Sequence, residues 1–450
     1  MRGVQALRSL SLERFRGGVA AAAADFGKLS LNRTTVRLAS SDSMTSPSVA
    51  DEILTDEKFS TKIAILNRPS KLNALTLYHV TRLRELYTDW EKDPYVRLVI
   101  IKGNGRGFCA GGDVADVYRL GKAGKRAEGI EFFKEEYRLN YLIGTYKKPH
   151  VALLNGVVMG GGTGISVHGT FRVATEKTVF AMPETAIGLH PDVGASYYLS
   201  RLPGHLGEYL GLTATRLDGA DMVACSLATH FVPSHRLEML EERLGSLNTD
   251  DPAVISSAID EYCDIVHLSE KSPLHRRQEI DTCFGRSSAE EIVRKIEAGL
   301  ESGNPWYQET LDKLKKGSPL SLKVTLRSVR EGRRQHLFQC LQREYRLSVH
   351  AVESKYSNDF SEGCRAVLVD KDNAPKWNPP TPEQVTSEIV DYQFSPVGED
   401  LGGELELPVE EREPKIKQSS YAPFCIYIDA LLLMRYRSEA LWYASLEVLN

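Results

Sequence analysis

From about Asp51 onward, apolar residues alternate between short unbroken runs and stripes spaced three or four residues apart. KIAILNRP (Lys62–Pro69) predicts a strand that ends at a proline. Leu77, Val80, Leu83, Leu86 and Trp90 then form one stripe of a helix. VRLVIIKG (Val96–Gly103) returns as a strand, and a helical stretch follows from Val114. A second amphipathic segment, Gly129–Tyr146, leads to a strand over His150–Leu154 inside the apolar run Val151–Val158. Phe171–Thr175 and Thr178–Met182 read as further short strands. Strand–helix alternation of this kind implies an α/β layer structure.

After about Asp250 the pattern is helical: DPAVISSAIDEYCDIV, SAEEIVRKIEAGLES, PWYQETLDKLKKG and a long stretch from Ser318 to Val352. Ser288 and Glu291 stand at capping-box spacing, a start signal for the second of these. Val397–Pro414 is acidic and rich in glycine and proline, and reads as an exposed tail. The end is apolar again, but its uncharged run Ala430–Met434 is far too short to span a bilayer. The chain thus divides into a leader (1–48), an α/β core (49–250), a helical region (251–390) and an acidic, irregular tail (391–450).

Composition narrows the class. A length of 450 residues exceeds one ordinary domain, and 42% apolar with 26% charged content belongs to a soluble globular protein. A net charge of −4 offers no general attraction to DNA or to an anionic membrane. Seven cysteines lie scattered without a CxxC pair, which argues for packed thiols over a disulfide frame or a zinc site. The leader is different: arginines and lysines among Ala, Leu and Ser, with acids nearly absent, make a mitochondrial transit peptide. A basic run in the helical region (Lys313, Lys315, Lys316, Lys323, Arg327, Arg330, Arg333, Arg334) reads as a solvated face, with RNA or phosphate binding as the alternative.

Two glycine-rich turns carry the candidate chemistry. FCAGGD (Phe108–Asp113) and MGGGTG (Met159–Gly164) each follow an apolar run. Glycine lets the backbone turn sharply and approach a ligand. With helices starting at Gly112 and Gly161, their free N–H groups would converge as an oxyanion hole. Glu184 and Asp192 follow in MPETAIGLHPDVG, the only other segment as dense in turn residues, and suggest acyl chemistry. Asp113 stands where an N-cap would sit. Cys109 lies inside the first turn but has no histidine near in sequence, and reads as a packed residue.

The segments LNRPSKLNAL (Leu66–Leu75), FCAGGD, Met159–Leu202 and EGCRAVLVDKDNAPKW (Glu362–Trp377) resemble the crotonase superfamily. More narrowly they are similar to its 3-hydroxyisobutyryl-CoA hydrolase branch and the plant mitochondrial members of it. The likeness runs from about Leu54 to Pro380; the tail from about Lys415 departs from the family's usual end. The resemblance implies a crotonase-like spiral of ββα units with a helical C-terminal region, and an acyl-coenzyme A substrate. No metal is implied, and no cofactor beyond the coenzyme A of the substrate. It places the thioester oxygen on the amides of Gly112 and Gly161, with Glu184 and Asp192 as reacting carboxylates. Glu136 would line the acyl pocket, while Lys71, Asn73, Ala74 and Leu75 are candidates for the adenine and pantetheine. The superfamily's hydratases carry a second glutamate right after the second turn; here that place is Gly164, which favours hydrolysis over hydration. Two alternatives stand beside 3-hydroxyisobutyryl-CoA in valine breakdown: another β-hydroxyacyl-CoA, or a structural place in the mitochondrial small ribosomal subunit. The resemblance leaves two oligomeric states open: a homo-oligomer, since the superfamily commonly forms trimers or dimers of trimers, or a monomer whose helical C-terminal half covers the same surface.

Overall fold

The computed structural model describes residues 49–413. The transit-peptide reading of 1–48 and the apolar C-terminal end lie outside the described residues. The chain opens with a hairpin of β1 (Ile53–Lys58) and β2 (Thr61–Leu66). Then α1 (Leu77–Lys92) leads to β3 (Leu98–Gly103) and β4 (Gly107–Cys109), followed by α2 (Val114–Lys122) and α3 (Arg126–Gly144). β5 (His150–Leu154) and β6 (Val157–Met159) precede the short α4 (Gly161–Gly164). β7 (Phe171–Ala174), β8 (Val179–Ala181), β9 (Leu217–Asp218) and β10 (His230–Phe231) complete two sheets. One has the order β1-β2-β3-β5-β7-β10, the other β4-β6-β8-β9.

Each consecutive pair β3/β4, β5/β6 and β7/β8 places one strand in each sheet, which is the predicted spiral of ββα units. The run Val151–Val158 is therefore two strands that belong to different sheets. The corner between them is Gly156, at φ +97°, where a side chain would overlap the Arg106 carbonyl. Only glycine adopts that conformation with the carbonyl so close.

Both faces of the larger sheet are covered. Ala64, Val99, Ile101, Ala152 and Leu154 pack toward α1 and α3, while Ile63, Leu98, Ile100, Val151 and Leu153 pack with Leu240, Leu244, Ile255 and Ile259. A parallel sheet buried on two sides reads as unbroken apolar runs, which is why these strands were legible. The helices after residue 250 include Ala289–Gly299, whose Ser288 hydroxyl accepts from Glu291 N at 3.2 Å as the capping signal predicted. The stretch Ser318–Val352 is two helices, Pro319–Gly332 and Leu337–Glu353. Among the described residues no helix is long and apolar enough to cross a membrane.

The basic run is a solvated face, none of its eight residues being buried, but it is not a free one, since several are tied to partners within the chain. Lys323 pairs with Glu290 at 2.6 Å, and Arg327 with Glu331 at 2.8 Å and Asp391 at 2.6 Å. Arg330 donates to the carbonyl of Ser287 (2.8 Å), and Arg333 to that of Ser200 (3.1 Å). Nor is the acidic segment from Val397 an exposed tail. It runs back across the molecule, burying Val397 and Leu405. Arg346 holds Glu404 at 2.8 Å, Gln342 donates to the Leu405 carbonyl, and Tyr141 donates to Glu413 at 2.7 Å. Arg412 closes the strap with a two-pronged pair to Glu91 (2.7 and 3.1 Å) and a bond to the Thr145 carbonyl.

The Arg412–Glu91 pair is about nine-tenths buried on both sides. Removing one member strands the other's charge in a dry place. Arg412→Ala will cost about 3 kcal/mol of unfolding free energy, and Glu91→Gln added to it will restore part of the loss. Urea unfolding of the three proteins checks this, and a loose tail would leave the midpoint unmoved.

Candidate active site

The first glycine turn is held from one side by the loop after β2. Ala110 N donates to the Leu72 carbonyl, Leu75 N to the Gly111 carbonyl and Asp113 N to the Leu75 carbonyl. Asn73 sits at φ +57° and is buried. Its amide nitrogen reaches the carbonyls of Asn104, Gly107 and Phe108 (2.8–3.1 Å), and its oxygen accepts from Arg68 N. The side chain of Asn73 and the backbone of Leu75 thus help to shape the turn. Lys71 is exposed and Ala74 half-buried beside them. The helix after the turn starts at Val114, as the apolar pattern predicts, so Gly112 stands two residues ahead of it. One expectation is corrected. Asp113 makes no side-chain cap; its carboxylate accepts from Arg68 at 2.9 Å, an attraction stronger than a lone backbone donor offers.

The second turn crosses directly over the first. Gly160 has φ +47° and ψ −125°, and α4 begins at Gly161 as expected. A Cβ on Gly161 would lie 3.1 Å from Gly112 N, and one on Gly111 would lie 3.5 Å from Gly161 N. The two amides meet with no side chain between them, and neither has a hydrogen-bond acceptor among the described residues. Cys109, beneath them, donates its thiol to the Asn73 carbonyl at 3.1 Å, and burial pushes it up to about 12. It is a packed thiol.

Three buried carboxyls surround this crossing. Glu136 comes from α3, Glu184 from the turn after β8 and Asp192 from the loop that follows. A side chain on Gly161 would overlap Glu136 Oε1, and one on Gly160 would stand 2.8 Å from Glu184 Oε1. Neighbouring Glu135 shows what an ordinary structural glutamate does: it pairs with Arg84 and Arg138, each at 2.7 Å. Glu136 has no such cation, and its Oε1 is buried without a partner, as is Glu184 Oε2. Burial holds both carboxyls well above the usual range, and the Asp192 charge adds to it. Asp192 is likewise pushed up by burial, to about 7, against the pull of the Tyr137 hydroxyl that donates to it at 2.7 Å.

The loop that carries Asp192 is strained and clamped. Val193 sits at φ +54°, a conformation that β-branched residues avoid. Buried Glu344, on the helix Leu337–Glu353, accepts from Gly194 N (2.6 Å), Ser196 N (2.8 Å) and the Ser196 hydroxyl (2.5 Å). His168 Nε2 bonds the Val193 carbonyl at 2.8 Å. Tyr137 in turn touches Ser348 at 2.6 Å. Sequence reasoning missed Tyr137, Glu344 and Ser348. The available signal was polar residues lying within otherwise apolar helical stripes. A Cβ on Gly164 would lie 2.6 Å from Val193 Cβ and 2.7 Å from Asn140 Nδ2, so this position admits no second carboxylate.

A family model for enoyl-CoA hydratase/isomerase matches residues 61–394. An Arabidopsis thaliana protein named 3-hydroxyisobutyryl-CoA hydrolase 1 is 51% identical over 366 residues, 81% of this chain and 96% of its own. Another from the same plant, named small ribosomal subunit protein mS47, is also 51% identical, covering 81% of this chain and 90% of its own. A third, 3-hydroxyisobutyryl-CoA hydrolase-like protein 1, mitochondrial, is 49% identical over 82% of this chain and 92% of its own. Among solved structures, a carnitinyl-CoA dehydratase from Mycobacterium thermoresistibile superposes with a TM-score of 0.72 at 37% identity. It covers 80% of this chain and 99% of its own.

The raised carboxyls have a consequence for stability. Asp192 has an ordinary value of 3.8 and is lifted to about 7, so between those values the folded chain holds a proton that the unfolded chain has lost. Stability from this group therefore falls as pH rises through that window. Asp192→Asn removes the ionisation and will raise Tm by a few degrees at about pH 8, with little change near pH 4. Calorimetric scans at the two pH values check it, and a lowered Tm at the higher pH would contradict it.

Proposed function

The chain belongs to the enoyl-CoA hydratase/isomerase family, and on that premise we propose that it hydrolyses the thioester of 3-hydroxyisobutyryl-CoA to 3-hydroxyisobutyrate and free coenzyme A. The reaction is a step of valine breakdown. The observation that carries this reading is a buried glutamate, Glu184, whose Oε2 has no partner among the described residues, beside two amides without acceptors there, with a side-chain-free Gly164 where a hydratase needs its second acid. Water addition to a double bond calls for two acid/base groups; thioester cleavage needs one carboxylate and a place for the oxyanion.

The roles follow from position. The amides of Gly112 and Gly161 receive the thioester oxygen as it gains negative charge, each worth about 3 kcal/mol of transition-state stabilisation. They are fixed before substrate arrives, so no reorganisation is needed during the reaction. Glu184 supplies the basic carboxylate at the carbonyl carbon. Its desolvation makes it a stronger base than an exposed glutamate once ionised. Asp192, held by Tyr137 through one oxygen, raises the proton affinity of Glu184 beside it. Glu136 forms the wall behind the acyl group. Buried together, the three carboxyls do not all ionise at once. Coenzyme A enters as part of the substrate, with Lys71 at the exposed edge of the first turn as a phosphate contact. The arginine-rich leader and the relatives named as mitochondrial support a mitochondrial location.

A relative of equal identity carries a ribosomal name, which makes a structural role the second reading. The pairing of Lys323, Arg327, Arg330 and Arg333 within the chain speaks against it, since those cations are already satisfied. Glu184→Gln will lower coenzyme A release from 3-hydroxyisobutyryl-CoA by about 10²–10⁴-fold while the dissociation constant for the thioester stays within a few-fold. A thiol-release assay with a parallel titration reads both. Full activity in the variant would remove Glu184 from the chemistry, and co-migration with ribosomal subunits in high salt would favour the structural role.

A further inference from the structure

Asn140 is wholly buried on α3, and neither its Nδ2 nor its Oδ1 has a hydrogen-bond partner among the described residues. A buried amide that leaves both a donor and an acceptor unmet is unfavourable, and a native protein keeps one where something else completes it. Asn140 lies one helical turn beyond Glu136 on the same face of α3. Glu136 meets Gly161 at the start of α4, and Asn140 meets Gly164 at its end. The three residue steps from Gly161 to Gly164 rise roughly 4.5 Å, comparable to the reach from a thioester carbonyl to a hydroxyl on the third carbon. Tyr137, between them in sequence, binds Asp192, and Val193 closes the other side of Asn140 through its contact with the Gly164 position. Glu136, Glu184 and Asn140 thus each bring an unmet buried polar atom to the glycines of the second turn.

We propose that Asn140 is a specificity-determining residue, whose amide donates to and accepts from the hydroxyl of a short 3-hydroxyacyl thioester at the inner end of the pocket. A hydroxyl is both donor and acceptor, and an amide is the neutral side chain that answers both at once. A carboxyl at this depth would add a fourth buried acid to the cluster, whereas asparagine adds none. Glycine at position 164 is the other half of the arrangement, because any side chain there would collide with Asn140 Nδ2. A plain acyl chain leaves the amide unmet and is rejected for that reason; a hydroxyacyl chain satisfies it. The inference rests on the hydrolase reading and names the feature of the acyl group that this site selects.

The test compares 3-hydroxyisobutyryl-CoA with isobutyryl-CoA, which lacks only the hydroxyl, in the wild type, Asn140→Leu and Asn140→Ala. Wild-type kcat/KM will favour the hydroxylated thioester, and in Asn140→Leu that preference will shrink by about tenfold or more, with isobutyryl-CoA cleaved as well as before or better. Asn140→Ala, which fits the site without overpacking, will show the same loss of preference if the leucine protein does not fold. An equal fall for both thioesters with the preference intact would overturn the proposal and leave Asn140 a structural group completed by a buried water. Wild-type protein that cleaves neither thioester would instead defeat the hydrolase reading. Calorimetric dissociation constants for the two compounds then decide about Asn140: a hydroxyl preference lost in the variants upholds it, and equal affinities overturn it.

Discussion

Two stretches of backbone cross here with nothing but hydrogen between them. The turn at Gly111–Gly112 and the turn at Gly160–Gly161 approach so closely that a single Cβ on either would fill the gap or strike a carboxylate. Much of the surrounding structure exists to hold that approach. The Asn73 amide ties the first turn to the strand behind it through three carbonyls. Strands β4 and β6 pair in the smaller sheet and deliver the two turns side by side. The strand switch at Gly156 is what moves the second turn out of the larger sheet and onto the first. Fold and site are one constraint seen at two scales.

The carboxyls around the crossing work against the fold. Glu136, Glu184 and Asp192 are each pushed toward protonation by burial, and among the described residues no arginine or lysine pairs with them as Arg84 and Arg138 pair with Glu135. A chain selected only for stability would replace them with apolar groups. The compensation is spread over the clamps: Glu344 on the backbone of Gly194 and Ser196, His168 on the Val193 carbonyl, Tyr137 on Asp192. These hold a valine in a left-handed conformation and keep Asp192 aimed inward. Strain and unmet polarity concentrated in one small region mark a functional site more firmly than any one residue does.

Much of this was legible in the residues. Strands buried on both faces announce themselves as unbroken apolar runs, and the helices by their stripes, because those patterns are local. The order of the glycine turns and the carboxylates after them pointed to the right place. What stayed hidden depends on contacts between distant positions. Nothing in Val151–Val158 says that its halves join different sheets. Asp113 looks like a cap until Arg68, far back in the chain, is seen to claim it. The acidic segment after Val397 has the composition of a tail, yet Glu404, Leu405 and Arg412 find partners on α1 and on the helices Arg126–Gly144 and Leu337–Glu353. Composition describes what a segment would do alone, not what waits for it elsewhere.

The central claim is that two backbone amides polarise one thioester carbonyl. Isotope-edited infrared difference spectroscopy reads this directly, with 3-hydroxyisobutyryl-CoA labelled with ¹³C at the carbonyl and bound to the Glu184→Gln protein so that it is not consumed. The account predicts a carbonyl stretch shifted to clearly lower frequency than in water, as two fixed donors weaken the C=O bond. A stretch at the frequency of the free thioester, or above it, would mean that Gly112 and Gly161 do not hold the oxygen.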